Sequence, residues 1–200
     1  MTPTDPAPRW TWQPHTPGHA AEAQARTWLA EQLGTAPQTL HLGRDGRQRP
    51  YLEAPYERWD CNWSHSGDSL LIALTARGRV GVDLERLRPR PRALAVSDRY
   101  FTAPETAWLN VQPDRDRAFL RLWCLKEAVL KAHGHGLSFG LHRLRFEERD
   151  GRLLLVDSDP ALGAPSEWRL QELAPAPGYV GALAWRPFAD AAAPAGTGAA

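Results

Sequence analysis

The sequence predicts an α+β fold, built from antiparallel hairpins with a few packed helices. Three observations carry this. Short stretches of alternating or continuous apolar residues are separated by Gly-containing turn pairs. Only two segments carry a sustained helical pattern, Ala20–Leu33 and the stretch from about Asp114 to Ala132. Strands and helices do not alternate as a doubly wound parallel sheet requires.

In chain order, "MTPTDPAPRWTWQPHTPG" has prolines that forbid a helix and no apolar core, so it is no signal peptide. Ala20 to Leu33 reads as a helix stopped by Gly34, and "TLHL" as a short strand. "GRDGRQRPYL" is a basic loop ending in Arg49-Pro50. "WDCNWSHS" and "SLLIALTA" form a hairpin about Gly67-Asp68, and a turn at Arg77-Gly78 leads into "RVGVDLERL". Ser97 to Leu109 suggests two short helices with Ser97 and Thr102 as N-caps. Asp114 caps the long helix, and Gly134 ends it. Four strands follow, "RLRFEE", "RLLLVD", "WRLQEL" and "GYVGALAWR", with turns at Asp150-Gly151 and Pro177-Gly178. The expected organisation is a Pro-rich segment 1–18, an N-terminal lobe 19–78, a C-terminal lobe 79–188 and a disordered tail 189–200.

Composition narrows the function. Apolar residues make up 42% of the 200, enough for a real interior, and no window approaches a membrane span. A net charge of +1 gives no nucleic-acid signature. Two cysteines, Cys61 and Cys124, make neither a disulfide framework nor a metal spacing, and fit reduced cytoplasmic thiols. Of 24 basic residues only two are lysine, Lys126 and Lys131, and they bracket Glu127. Lys differs from Arg in having a pKa that its surroundings can move.

The chemistry gathers in three places. On the strand "GRVGVDLERL", Asp83 and Glu85 project from one face, because side chains alternate with period two. On the long helix Glu127 and Lys131 share a face, while Lys126 points about 100° away. Three carboxylates with two lysines suit a hard divalent cation and phosphate chemistry, whereas any one pair alone suits an ordinary surface contact. In "CNWSHSGD", Asn62, Ser64 and Ser66 share one face, and Trp63 and His65 the other.

"NWSHS", "GVDLE" and "WCLKEAVLK", in that order, resemble the 4′-phosphopantetheinyl transferases of the surfactin-activating type. The likeness extends from about Leu40 to Pro187. It implies two similar lobes with pseudo-twofold symmetry, and coenzyme A bound between them. It also implies transfer of the phosphopantetheine arm to a serine of an acyl or peptidyl carrier protein, releasing adenosine 3′,5′-bisphosphate. By the match, Asp83, Glu85 and Glu127 are the Mg²⁺ ligands, with Mn²⁺ as an alternative metal. Glu127, directly or by way of a water on the metal, is the base on the serine. Lys131 is the acid at the leaving phosphate and Lys126 a phosphate neutraliser. Arg49, Pro50, Ser64 and His65, with both lysines, are the coenzyme A contacts. The first helix lacks the family's cation for the 3′-phosphate, which leaves Arg9, His15, His19 and Arg26 as substitutes. The surface from Arg86 to Leu109 is the expected carrier flank, with Tyr100 and Phe101 in the core. A metal-dependent nuclease and an inactive carrier-binding protein are the rival readings, and a monomer is expected.

Overall fold

The computed structural model of the chain describes residues 7–188. The expected tail 189–200 lies outside them. Strand β1 (Arg9–Pro14), helix α1 (Ala21–Leu33), and strands β2 (Leu42–Arg44), β3 (Pro50–Leu52), β4 (Asp60–Ser66) and β5 (Ser69–Thr75) form the first half. The second half holds β6 (Gly78–Arg86), helices α2 (Ala93–Tyr100), α3 (Ala103–Asn110) and α4 (Arg115–His133), then β7 (Leu144–Arg149), β8 (Arg152–Ser158), β9 (Arg169–Leu173) and β10 (Tyr179–Pro187).

Two three-stranded antiparallel sheets make the frame, ordered β1-β5-β4 and β6-β10-β9, with two-stranded ribbons β2-β3 and β7-β8. This is the mixed α+β architecture that the hairpin pattern predicts. Strand β5 is buried along its whole length. Its Leu70, Ile72 and Leu74 pack under α1, and Leu71 and Ala73 pack against Val80, Val82 and Leu84 of β6. That two-sided burial explains the continuous apolar run "LLIAL".

The edges of the two sheets meet through side chains rather than main chain. Asp60 Oδ2 accepts from Val80 N (2.7 Å), Asn62 Oδ1 from Val82 N (3.0 Å) and Ser66 Oγ from Arg86 N (3.1 Å). Alternate residues of β4 thus satisfy N–H groups of β6 that would otherwise be orphaned at a buried edge. This ladder sets Asp83 and Glu85 in register with Ser64 and Ser66.

Helix ends follow local chemistry. Gly34 and Gly134 take the left-handed conformation past α1 and α4, with φ of 68° and 92°. Asp114 accepts from Arg117 N at 3.0 Å, and Thr102 with Glu105 closes a capping box on α3. The β7-β8 turn places Asp150 and Gly151 at φ 51° and 77°, as the Asp-Gly pair predicts.

Within the expected Pro-rich segment 1–18, Arg9–Pro14 forms an outer strand paired with β5. Two local expectations are corrected. Ser97 is not an N-cap: α2 starts earlier, at Ala93 after the cap residue Arg92, and Ser97 lies inside it donating to Leu94 O. Tyr100 is 43% exposed rather than core, whereas Phe101 is buried.

Candidate active site

The site forms where α4 lies on β6. Gly81 permits that approach: a Cβ there would run into the main chain of Ala128 and Ala132. Gly81 shares its face of β6 with Asp83 and Glu85, so the same surface that seats the helix presents the acidic groups to it.

Asp83 and Glu127 are both buried, at 5% and 6% exposure. Lys131 Nζ donates to Asp83 Oδ1 at 2.6 Å and to Ser64 Oγ at 3.1 Å. Ser64 Oγ in turn donates to Asp83 Oδ1 at 2.9 Å. Asp83 Oδ2 and Glu127 Oε1 are buried and have no hydrogen-bond partner. Burial, and then the Asp83 charge, push the Glu127 carboxyl up to about 7, with Lys131 partly offsetting them. Burial works against the Lys131 ammonium, but Asp83 outweighs it and raises its pKa. The ion pair at the site is Lys131–Asp83, not an i, i+4 pair of Lys131 with Glu127. The lysine reaches across to the strand instead of along its own helix.

Glu85 stands apart. Its carboxylate accepts from Arg90 Nη2 at 2.5 Å and from Ser66 Oγ at 3.3 Å. Among the described residues no group of three His, Cys, Asp or Glu side chains has assembled around a metal position. The donor set nonetheless suits a divalent cation. Two buried carboxylates each hold an oxygen without a donor, and Mg²⁺ accepts one or two carboxylates alongside phosphate and water. Glu85 is instead paired with Arg90 through Oε2.

The remaining predicted contacts divide. Pro50 and Lys131 line a cleft of about 210 Å³ with Arg44, Arg47, Trp63 and Arg49. Arg49, expected as a coenzyme A cation, is 8% exposed and fully engaged. Its Nε donates to Lys131 O (2.9 Å), Nη1 to Pro50 O (3.2 Å) and Asp60 Oδ1 (2.7 Å), and Nη2 to Asp60 Oδ2 (2.5 Å) and Val80 O (3.0 Å). All five guanidinium protons are used, so Arg49 ties the two halves together. His65 lies on the opposite face of β4 from Ser64, exposed, with its ring 5.1 Å from that of His15.

Lys126, expected at a phosphate, is instead sealed in the second half at 0% exposure. Its Nζ pairs with Glu105 Oε1 at 2.8 Å. Burial lowers its pKa to about 8 despite that pairing. Both cysteines are buried, and burial raises both thiols, Cys61 to about 12, which leaves neither as a nucleophile.

The substitutes for the 3′-phosphate cation are largely occupied. Arg9 bonds Gln32 O (3.1 Å), Arg26 bonds Glu22 (2.9 Å), and His15 is buried against Gln24 (2.6 Å). Arg44 and Arg47, from the basic loop, line the cleft, Arg44 also bonding Glu22 Oε2 (2.8 Å) and Gln48 O (2.8 Å). The run "RDGRQRP" carried that signal, but nothing in it told Arg47 from Arg49.

This fold and carboxylate–lysine site coincide with a family match over residues 79–184, to the model described as the 4′-phosphopantetheinyl transferase superfamily. The chain belongs to that superfamily. It is similar to a provisionally named 4′-phosphopantetheinyl transferase of Synechocystis sp., 35% identical over 72% of this chain and 59% of that one. The 4′-phosphopantetheinyl transferase HetI of Nostoc sp. is 31% identical over 81% of this chain and 69% of its own length. The human L-aminoadipate-semialdehyde dehydrogenase-phosphopantetheinyl transferase is 30% identical over 64% of this chain and 45% of that protein. The chain thus spans roughly half to two thirds of the length of these relatives. Among solved structures, Thermotoga maritima holo-acyl-carrier-protein synthase aligns with 55% of this chain and 62% of its own at 22% identity and TM-score 0.46.

Among the described residues no helix is long and apolar enough to cross a membrane.

Proposed function

We propose that the protein transfers the 4′-phosphopantetheine arm of coenzyme A to a serine of an acyl or peptidyl carrier protein. The observation that carries this reading is the pair of buried, donorless oxygens on Asp83 and Glu127 beside the Lys131 ammonium. Buried polar atoms without partners are rare in folded proteins, and a cation between these carboxylates would satisfy both.

Glu127 takes the proton from the serine hydroxyl. Before any cation binds, burial and the Asp83 charge make this carboxyl more basic than an exposed one. The serine oxygen forms a bond to the phosphorus nearest the pantetheine, and the bond from that phosphorus to the bridging oxygen breaks. Lys131 donates its proton to the departing phosphate of adenosine 3′,5′-bisphosphate. Ser64 holds Lys131 against Asp83 until substrate arrives. A Mg²⁺ ion held by Asp83 and Glu127, with Glu85 as third ligand, would neutralise charge on the pyrophosphate. We assign the nucleotide end to the cleft lined by Arg44, Arg47, Trp63 and Pro50.

The surfactin-activating arrangement, with both lobes in one polypeptide, is the form we propose, acting as a monomer in the cytoplasm. The side-chain ladder between β4 and β6 and the five-bond Arg49 tie support it, since the cleft takes residues from both halves. The carrier flank is assigned to the surface starting at Arg86. An apolar groove of about 440 Å³ there, lined by Arg88, Arg90, Val96, Phe119 and Trp123, opens beside Glu85.

The test is a panel of apo acyl and peptidyl carriers incubated with the protein, coenzyme A and Mg²⁺. The intact mass of at least one carrier should rise by one phosphopantetheine arm. An unchanged panel refutes the reading, and cleavage of added DNA under the same conditions would favour the nuclease.

A further inference from the structure

We propose that Lys126 is a positioning residue: it fixes the rotation and depth of α4, and so holds Glu127 and Lys131 toward Asp83. This rests on the transfer reading of the site. The ammonium has three protons and three acceptors around it. These are Glu105 Oε1 at 2.8 Å, Leu141 O at 2.9 Å and Leu144 O. Its hydrogen-bonding capacity is therefore saturated without any ligand.

The three acceptors lead to two neighbours of α4. Glu105 is 2% exposed and sits in the first turn of α3. Its Oε1 also accepts from Phe146 N at 2.8 Å, and its Oε2 from Thr102 N at 2.9 Å and Thr102 Oγ at 2.8 Å. Leu141 and Leu144 belong to the segment entering β7. Lys126 thus pins the middle of α4 to the start of α3 and the start of β7 at once. Residue 127 follows 126 at about 100° around a rigid helix, so fixing one fixes the direction of the other.

The site also selects lysine over arginine. The rings of Phe101 and Phe146 lie 5.0 and 5.7 Å from Nζ, which closes the space around the ammonium. A planar guanidinium is larger, and it presents five protons where three acceptors stand. A phosphate-neutralising role would tolerate Arg; a saturated buried pivot does not. Removing only one partner leaves a buried charge unpaired, so the informative variant changes both.

The experiment compares wild type, Lys126→Arg, and the double variant Lys126→Met with Glu105→Gln, which removes both charges. Steady-state transfer separates kcat from KM for coenzyme A, and thermal unfolding checks the fold. A misplacement on the order of 1 Å at the reacting groups costs about a hundredfold. We expect kcat to fall by about that factor in both variants, with KM for coenzyme A changed less than about threefold. Wild-type kcat in Lys126→Arg or in the double variant overturns the proposal. So does a KM that rises about tenfold at unchanged kcat, which marks a substrate contact. Hydrogen exchange of the amides at 127–131 supplies a readout independent of activity. The double variant should exchange faster there than wild type, and equal rates overturn the pivot. A wild type without transfer would refute the functional reading alone, leaving the exchange comparison to decide the role of Lys126.

Discussion

Replacing Glu127 by Gln should make the metal-free protein more stable at alkaline pH. In the unfolded chain this carboxyl releases its proton at 4.5; in the fold it holds the proton until about 7. The folded pKa is raised, so the unfolded state loses its proton first as pH climbs. Stability is fully present below 4.5, falls through the window from 4.5 to about 7, and stays low above it. At ~1.4 kcal/mol per tenfold change in proton affinity, the loss amounts to about 3 kcal/mol. The substituted glutamine resembles the protonated acid in shape and cannot ionise, so the variant escapes the loss. For a chain of this size about 3 kcal/mol corresponds to a Tm rise of roughly 6 °C or more. Thermal unfolding in chelator at pH 8 should show that rise. At pH 5, where the folded protein is already protonated, the advantage should shrink below about 1 kcal/mol. Equal stability of the two proteins at pH 8, or a Gln variant that is less stable there, would refute the placement of Glu127 beside Asp83. Adding Mg²⁺ at pH 8 should then raise the wild-type Tm and leave Glu127→Gln nearly unchanged.

Other substitutions probe the frame and the proton path. Gly81→Ala drives a methyl into the α4 main chain, and denaturant titration should show a loss of about 1–3 kcal/mol together with reduced transfer. Arg49→Lys keeps the charge but offers three protons where five acceptors stand. It should lower stability by about 3 kcal/mol, read from the denaturant midpoint, because Asp60 is left partly unpaired. Lys131→Arg should reduce kcat by about 10²-fold or more if proton donation is its task, and a near-normal rate would assign it charge alone.

Much of this molecule is legible in its residues because local rules act locally. Gly34, Gly134, Asp114 and Thr102 mark helix ends through backbone geometry that only nearby atoms decide. The alternation in "GRVGVDLERL" put Asp83 and Glu85 on one face, and the i, i+4 spacing did the same for Glu127 and Lys131. What stayed hidden depends on distant partners. Arg49, Lys126 and Lys131 are all cations in charged motifs, yet one bridges two sheets, one is a buried pivot and one faces the cleft. Sequence spacing gives direction around a helix, not the neighbour waiting there. Glu85 shares its face with Asp83 as expected, but Arg90, from the Pro-flanked loop after β6, takes its carboxylate. The strand β1 was obscured by its flanking prolines, although the alternation in "RWTWQP" was available to be read.

The central claim, that the buried Asp83–Glu127 pair beside Lys131 is a phosphopantetheine transfer site, is tested most directly by one measurement. It is the intact mass of an apo carrier protein after incubation with coenzyme A and Mg²⁺, using wild type and Glu127→Gln in parallel. The account predicts a carrier heavier by one phosphopantetheine arm with wild type, none in chelator, and none with the folded Gln variant. Equal modification by both proteins, or none by wild type on any carrier, would contradict it.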